Sequence, residues 1–116
     1  GVEFVPQSIA TTEEGYKVLL DQEVSLQLVI ANEGNIEEFE ISILILVTDE
    51  FGETVLEKRT KINTIGPFES KSYYFDPIKI EKGIVHEWFI LVEEIENEED
   101  FEDNIFTVKA FIPPED

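Results

Sequence analysis

The sequence predicts an all-β chain: two antiparallel sheets of seven or eight strands in all, stacked face to face. Three observations carry this. From Phe39 to Thr48 an isoleucine or valine stands at every second position from Ile41 through Val47, the two-residue period of a strand with one face in a core. Comparable runs return along the chain, separated by turn signals about every 8 to 12 residues. No stretch reads as a helix in preference to a strand, so the natural way to bury the apolar faces is sheet on sheet.

The elements follow in order. Val2 to Ile9 is a short apolar segment interrupted by Pro6, which cannot donate to a ladder and so belongs on an edge or in a lead-in. After a polar turn at Thr11 to Gly15, Tyr16, Val18 and Leu20 share one side of a second short strand. Glu23 to Ala31 alternates more cleanly, with Val24, Leu26, Leu28 and Ile30 on one side and Ser25, Gln27 and Val29 on the other. Asn32-Glu33-Gly34-Asn35 then makes a turn.

The strand at 39–48 is followed by Asp49-Glu50-Phe51-Gly52-Glu53, which has the length and composition of a type I turn closed by a glycine bulge. Thr54 to Asn63 returns as a weaker strand in which Lys58, Arg59 and Lys61 crowd together. Lysine and arginine there fit an exposed edge protected against pairing with another chain, and a small anion site is the alternative. Ile65 to Glu69 is a turn, and Ser70 to Phe75 a strand with Tyr73 and Phe75 on one face, stopped by Asp76-Pro77.

Val85 to Glu94 admits two readings. Trp88, Ile90 and Val92 alternate with Phe89 and Leu91, whereas Ile84, Trp88, Leu91 and Ile95 fall at helical spacing. Strand is preferred, because Gly83 precedes the segment and aromatic and β-branched residues dominate its centre. Glu93 to Asp103 is an acidic loop, and Phe106, Val108, Ala110 and Ile112 keep phase in a last strand that Pro113-Pro114 ends.

One domain accommodates all 116 residues, with 42% hydrophobic content to build a core and no second zone of composition. The charge is the outlying property. With 27 acidic against 8 basic residues the net charge is −19, which repels phosphate backbones and anionic lipid, so nucleic acid and membrane surfaces are the least suited partners. Solubility and spacing from other acidic surfaces explain the charge, with a high-salt habitat as the alternative. There is no cysteine and no apolar run long enough to insert into a membrane. Either the protein is cytosolic or this is a module cut from a longer polypeptide whose anchor lies outside the segment, and a start on Gly1 rather than Met favours the second.

In this order the chain resembles the bacterial cell-adhesion-related domain CARDB, an immunoglobulin-like β-sandwich. The similarity spans Glu23 to Ile112. It rests on Val24 to Ile30 followed by Ala31-Asn32-Glu33-Gly34-Asn35, similar to the family's strand ending in Asn-x-Gly. Ile65-Gly66-Pro67-Phe68-Glu69-Ser70 precedes an aromatic strand, and Val92-Glu93-Glu94 leads through an acidic loop to Asp103-Asn104. Phe68 stands where the family usually has glycine, and Asp103 replaces the first of two asparagines. The resemblance implies a non-catalytic, extracellular or cell-surface module of bacterial origin, used for adhesion, protein contact or the spacing of other domains. It carries no ligand site that transfers. Antibody hallmarks are missing, since there is no cysteine pair and the single tryptophan, Trp88, lies on the next-to-last strand.

Candidate chemistry is sparse. No Gly-x-Ser-x-Gly occurs, and His86 is the only imidazole, so a nucleophilic relay has neither nucleophile nor context; His86 reads as a surface residue at a strand end. A glycosidase would need two carboxylates facing each other in a cleft, for which a small sandwich has little room. No cofactor is expected. In the acidic loop, Glu96, Glu98, Asp100 and Asp103 could set several oxygens around a calcium ion, although the spacing is not that of an EF-hand; an ordinary solvated loop is the competing reading. Exposed aromatics Tyr16, Tyr73 and Tyr74 would serve a carbohydrate-binding module, the alternative function.

The leading functional candidate is a face. If the strands at 39–48, 85–94 and 105–112 are neighbours in one sheet, the inward set is Ile41, Ile43, Ile45, Val47, Trp88, Ile90, Val92, Phe106 and Val108. Leu44, Leu46, Phe89, Leu91 and Phe111 then project from the other side of that sheet. Monomers seldom leave such a patch uncovered on an otherwise acidic surface. It is expected to be covered by another protomer, another domain or the N-terminal segment, and the competing reading is that loops or residues 1 to 20 cover it within the chain.

Overall fold

The computed structural model describes residues 2–32, 38–94 and 104–114, with backbone alone at Glu38, Phe39, Glu40, Asn63, Glu94 and Asn104. Ten strands are found in these residues: β1 (Val2–Val5), β2 (Ala10–Thr11), β3 (Lys17–Val18), β4 (Glu23–Ala31), β5 (Glu38–Asp49), β6 (Thr54–Ile65), β7 (Ser70–Tyr74), β8 (Ile78–Lys79), β9 (His86–Glu94) and β10 (Asn104–Phe111). Three of them, β2, β3 and β8, are two-residue pairings, which leaves seven longer strands. No helix occurs among the described residues.

One sheet runs β1-β4-β7, with β8 also paired to β4; the other runs β2-β3-β10-β9-β5-β6. All pairings between these strands are antiparallel except β3 with β10, and an isolated parallel bridge joins Lys82 to Ile112. The arrangement is an immunoglobulin-like β-sandwich, in which the strands at 38–49, 86–94 and 104–111 lie side by side. The inner faces close on one core. Val24, Leu26 and Leu28 from the first sheet meet Ile41, Ile43, Ile45, Val47, Trp88, Ile90 and Val92 from the second, all at most 3% exposed. Phe106 and Val108 pack against that core half-buried.

The β5–β6 hairpin is the longest ladder, and its turn is built as its residues dictate. Gly52 N–H donates to the Asp49 carbonyl at 3.1 Å, and Gly52 takes a φ of +83°, which closes the turn with a bulge at little cost for glycine. Asp49 Oδ1 accepts from the N–H groups of Phe51 and Glu53, both at 2.9 Å. The ladder register shifts between Val47 and Thr48, just before that turn.

Val85 to Glu94 is strand, because strict alternation lets β9 bury Trp88, Ile90 and Val92 between two neighbours in the sheet. A helix there would leave the facing edges of β5 and β10 unpaired.

The alternation of Tyr16, Val18 and Leu20 with Lys17 and Leu19 holds: Val18 stands opposite Phe111 on the side away from the core, Lys17 opposite the buried Ala110, and Leu19, whose N–H donates to the Phe111 carbonyl, is buried while Leu20 is 67% exposed. Two expectations are corrected. β6 runs two residues further than expected, to Ile65, which is fully buried. His86 is not on the surface but 3% exposed, because it is in phase with Trp88 and opposite Ala110 on the inner side of β9.

Candidate functional site

On β5 the residues between the buried isoleucines point away from the core, and the registers place them beside their counterparts on β9. Leu44 stands opposite Leu91, and Leu46 opposite Phe89. Each of the four is half-buried, as expected of side chains that cover one another on a sheet face over which no other strand of the described residues lies. The rows continue to both flanks. Arg59, Leu44, Leu91 and Ile105 form one, and Glu57, Leu46, Phe89 and Thr107 the next. Ile105, which its alternation makes part of this face, is 58% exposed.

Phe111 lies apart from the quartet. The pair Glu87 and Lys109, whose charged ends approach to 3.8 Å, stands between Phe89–Thr107 and the end of β10, and Phe111 pairs instead with Val18 of β3. The strands of the N-terminal segment do not lie over the quartet, although Tyr16 packs against Lys109 at the flank of the face. β1 is at the edge of the other sheet, and β2 and β3 extend this sheet beyond β10. At the opposite end of the face Ser42, between Lys61 and Glu93 in the ladder, is buried.

The basic cluster on β6 is split by the pleat. Arg59 and Lys61 are on the outward side, opposite Leu44 and Ser42, whereas Lys58 is opposite Ile45 on the other side. Its ammonium meets the Asp76 carboxylate at 3.1 Å. The hydrogen bond to Asp76 and the charge of that carboxylate hold the Lys58 pKa above its ordinary value. β6 is an edge strand, so basic side chains here discourage pairing with another chain.

The three tyrosines do not form a platform. Tyr16 precedes β3 under the Lys109 ammonium, 5.7 Å from its ring centre, while Tyr73 and Tyr74 are on β7 in the other sheet. Tyr73 packs edge-on against Phe75 at 5.0 Å, and Tyr74, 61% exposed, accepts a hydrogen bond from Gln27. Sugar rings stack on coplanar exposed aromatics, which this placement does not supply.

His86 donates from Nδ1 to the Ile84 carbonyl at 3.1 Å, and among the described residues no hydroxyl or carboxylate bonds its ring. No group of three or more potential metal ligands comes together among the described residues. Glu96, Glu98, Asp100 and Asp103 lie outside them. A cleft of about 300 Å³ opens between β1 and β3, lined by Phe4, Leu26 and Val108 with Glu3 and Lys17 at its polar side. That is the small end of ligand-pocket volumes, and the Lys17 ammonium is already bonded to Thr11 Oγ1 at 3.0 Å.

No helix of the described residues is long and apolar enough to cross a membrane. Comparison with protein-family models gave no match, and no curated protein is similar to the chain.

Proposed function

We propose that this chain is a non-catalytic, immunoglobulin-like module of a bacterial cell-surface protein, and that it makes protein–protein contacts through the outward face of its six-stranded sheet. The observation that carries this reading is the quartet Leu44, Leu46, Phe89 and Leu91, aligned in two cross-strand pairs on a sheet face that β1, β2 and β3 do not cover. A sheet face turned to water ordinarily alternates to polar residues; here β5 and β9 keep leucine and phenylalanine there. The acidic surface elsewhere supports solubility and spacing rather than contact with nucleic acid or lipid. The resemblance to CARDB points the same way, toward a surface module that adheres or separates other domains. The Lys58, Arg59 and Lys61 strand edge adds a guard against non-specific sheet extension.

Hydroxyl-radical footprinting tests the reading. Labelling of Leu44, Leu46, Phe89 and Leu91 is compared between the dilute isolated chain and the same chain in the cells that express it. Protection in cells is expected. Equal labelling in both settings overturns a contact role for this face. Calorimetry against a panel of soluble glycans addresses the alternative, and saturable heat abolished by Tyr74→Ala would favour a carbohydrate-binding module.

A further inference from the structure

Resting on the reading that this face contacts protein, we infer that its occupant is a second copy of this chain, packed about a two-fold axis that runs across the strands, with Arg59 of one protomer over the partner's Glu57. Three features lead there.

The first is charge. A molecule of net charge −19 strongly repels its own copy over most of its surface. The outward face of the six-stranded sheet is different: Arg59, Lys61 and Lys109 share it with Glu57, Glu87 and Glu93. Among its described side chains, three of the eight basic residues stand against three acids. Like molecules meet with least repulsion there.

The second is the order of side chains. A closed dimer puts the same patch on both sides of the interface, and two in-plane axes would stack this sheet on its copy. An axis along the strands lays β6 over the partner's β10, setting the Arg59 guanidinium on Ile105 and burying it without a counter-charge, which is costly. An axis across the strands, midway between the Leu44–Leu91 and Leu46–Phe89 rows, lays each row on the other. Leu44 then meets the partner's Leu46, Leu91 meets the partner's Phe89, and Arg59 meets the partner's Glu57, each twice. Among the described residues neither Arg59 nor Glu57 has an ion-pair partner within the chain. Glu93 approaches a Glu87 that Lys109 already offsets.

The third is size. Four strands about 4.8 Å apart and rows about 7 Å apart give a face of roughly 400 Å² per protomer. That is below the area of a permanent dimer and suits a weak, reversible one, with dissociation in the high micromolar range.

Sedimentation of the purified chain, up to about 1 mM in about 150 mM NaCl, with two charge reversals and their combination is the test. Wild type is expected to associate reversibly. Arg59→Glu and Glu57→Arg each weaken association about tenfold, because each leaves two like-charged contacts. The double variant Glu57→Arg/Arg59→Glu recovers it. Glu57→Arg is the decisive arm, since it makes the molecule less acidic: if only net charge mattered, it would associate more tightly than wild type. A chain that stays monomeric throughout, tighter association of Glu57→Arg, or failure of the double variant to recover overturns the proposal. All these residues are exposed, and circular dichroism checks that each variant keeps its fold. A monomer in this experiment whose face is nevertheless protected in cells would retain the protein-contact reading and assign the face to a different protein.

Discussion

The ring of Phe4 meets that of Trp88 edge-on, with centroids 5.0 Å apart and planes at 81°. Phe4 belongs to the edge strand β1 and Trp88 to the central strand β9, so this contact pins the first strand of one sheet to the middle of the other. Phe4 is 5% exposed even though its strand neighbours Glu3 and Val5 are open to solvent. Truncation by Phe4→Ala is expected to cost about 3 kcal/mol and to shift Trp88 fluorescence to the red as water reaches the indole. Chemical denaturation and the emission spectrum measure the two effects together.

Asn32 holds the turn after β6. Its Nδ2 donates to the carbonyls of Ile65 and Gly66, both at 3.1 Å, and its N–H donates to the Glu69 carbonyl at 2.9 Å. Asn32→Ala leaves the two carbonyls without that donor and is expected to cost about 1–3 kcal/mol. Asn32→Asp is nearly isosteric yet sets a carboxylate against the same two oxygens, so at neutral pH it is expected to be worse than Ala. The Asp penalty shrinks as acid protonates it, and denaturant midpoints at pH 7 and pH 4 show whether it does.

Phe68 has a φ of +57° and a ring open to solvent. Left-handed backbone is costly for a residue with a Cβ, by about 1–2 kcal/mol, and nearly free for glycine. Phe68→Gly is therefore expected to stabilise the fold by about 0.5–1 kcal/mol, the remainder being offset by glycine's larger chain entropy when unfolded. A lower melting temperature for the glycine variant would contradict this account of the turn.

Lys58 illustrates the sign of a raised pKa. Its hydrogen bond to Asp76 favours the charged ammonium in the folded chain, so the stabilisation is fully present below the ordinary value of 10.5 and is lost as pH rises through the higher folded-state value. Asp76→Asn is expected to bring the Lys58 titration, followed by NMR at its ε-methylene, back toward the ordinary value. No change on that substitution would assign the shift elsewhere. Both partners are well exposed, so the effect on stability is small.

Salt should act in the opposite sense to what its surface ion pairs suggest. Lys58–Asp76 and Lys109–Glu87 weaken with added salt, but they are few against a net charge of −19. Screening of that self-repulsion dominates. The melting temperature is expected to rise between about 10 mM and about 500 mM NaCl, and a fall would mean that the folded chain holds its acids in compensating networks.

Much of the arrangement was legible because it is written in period two. Ile41 to Val47, Val24 to Leu28 and Trp88 to Val92 each alternate, and burial of one face settles which residues enter the core. Short pairings keep the same phase: Lys17–Val18 is bonded for only two residues, yet Leu19 turns inward and Leu20 outward, as the alternation of Tyr16, Val18 and Leu20 with Lys17 and Leu19 has it. What so short a run does not carry is which of its sides faces the core. His86 was misread because polarity alone suggests the surface, whereas phase with Trp88 and a nearby backbone carbonyl let it be buried. Ile105 was overlooked as part of the outward face because it opens its strand, where the pattern has only one side to count from.

By itself the sequence determined the class of fold and the two-sidedness of β5 and β9, since hydrophobic period is a local property that any strand pairing must respect. Only the tertiary structure decided that Leu44 sits beside Leu91 and Leu46 beside Phe89, that Phe111 is separated from them by Glu87 and Lys109, and that β1, β2 and β3 go to the sheet edges. Those outcomes depend on register and on which strands become neighbours. Both are set by closing contacts between distant parts of the chain, such as Phe4 on Trp88 and Asn32 on Gly66, and no local pattern encodes them.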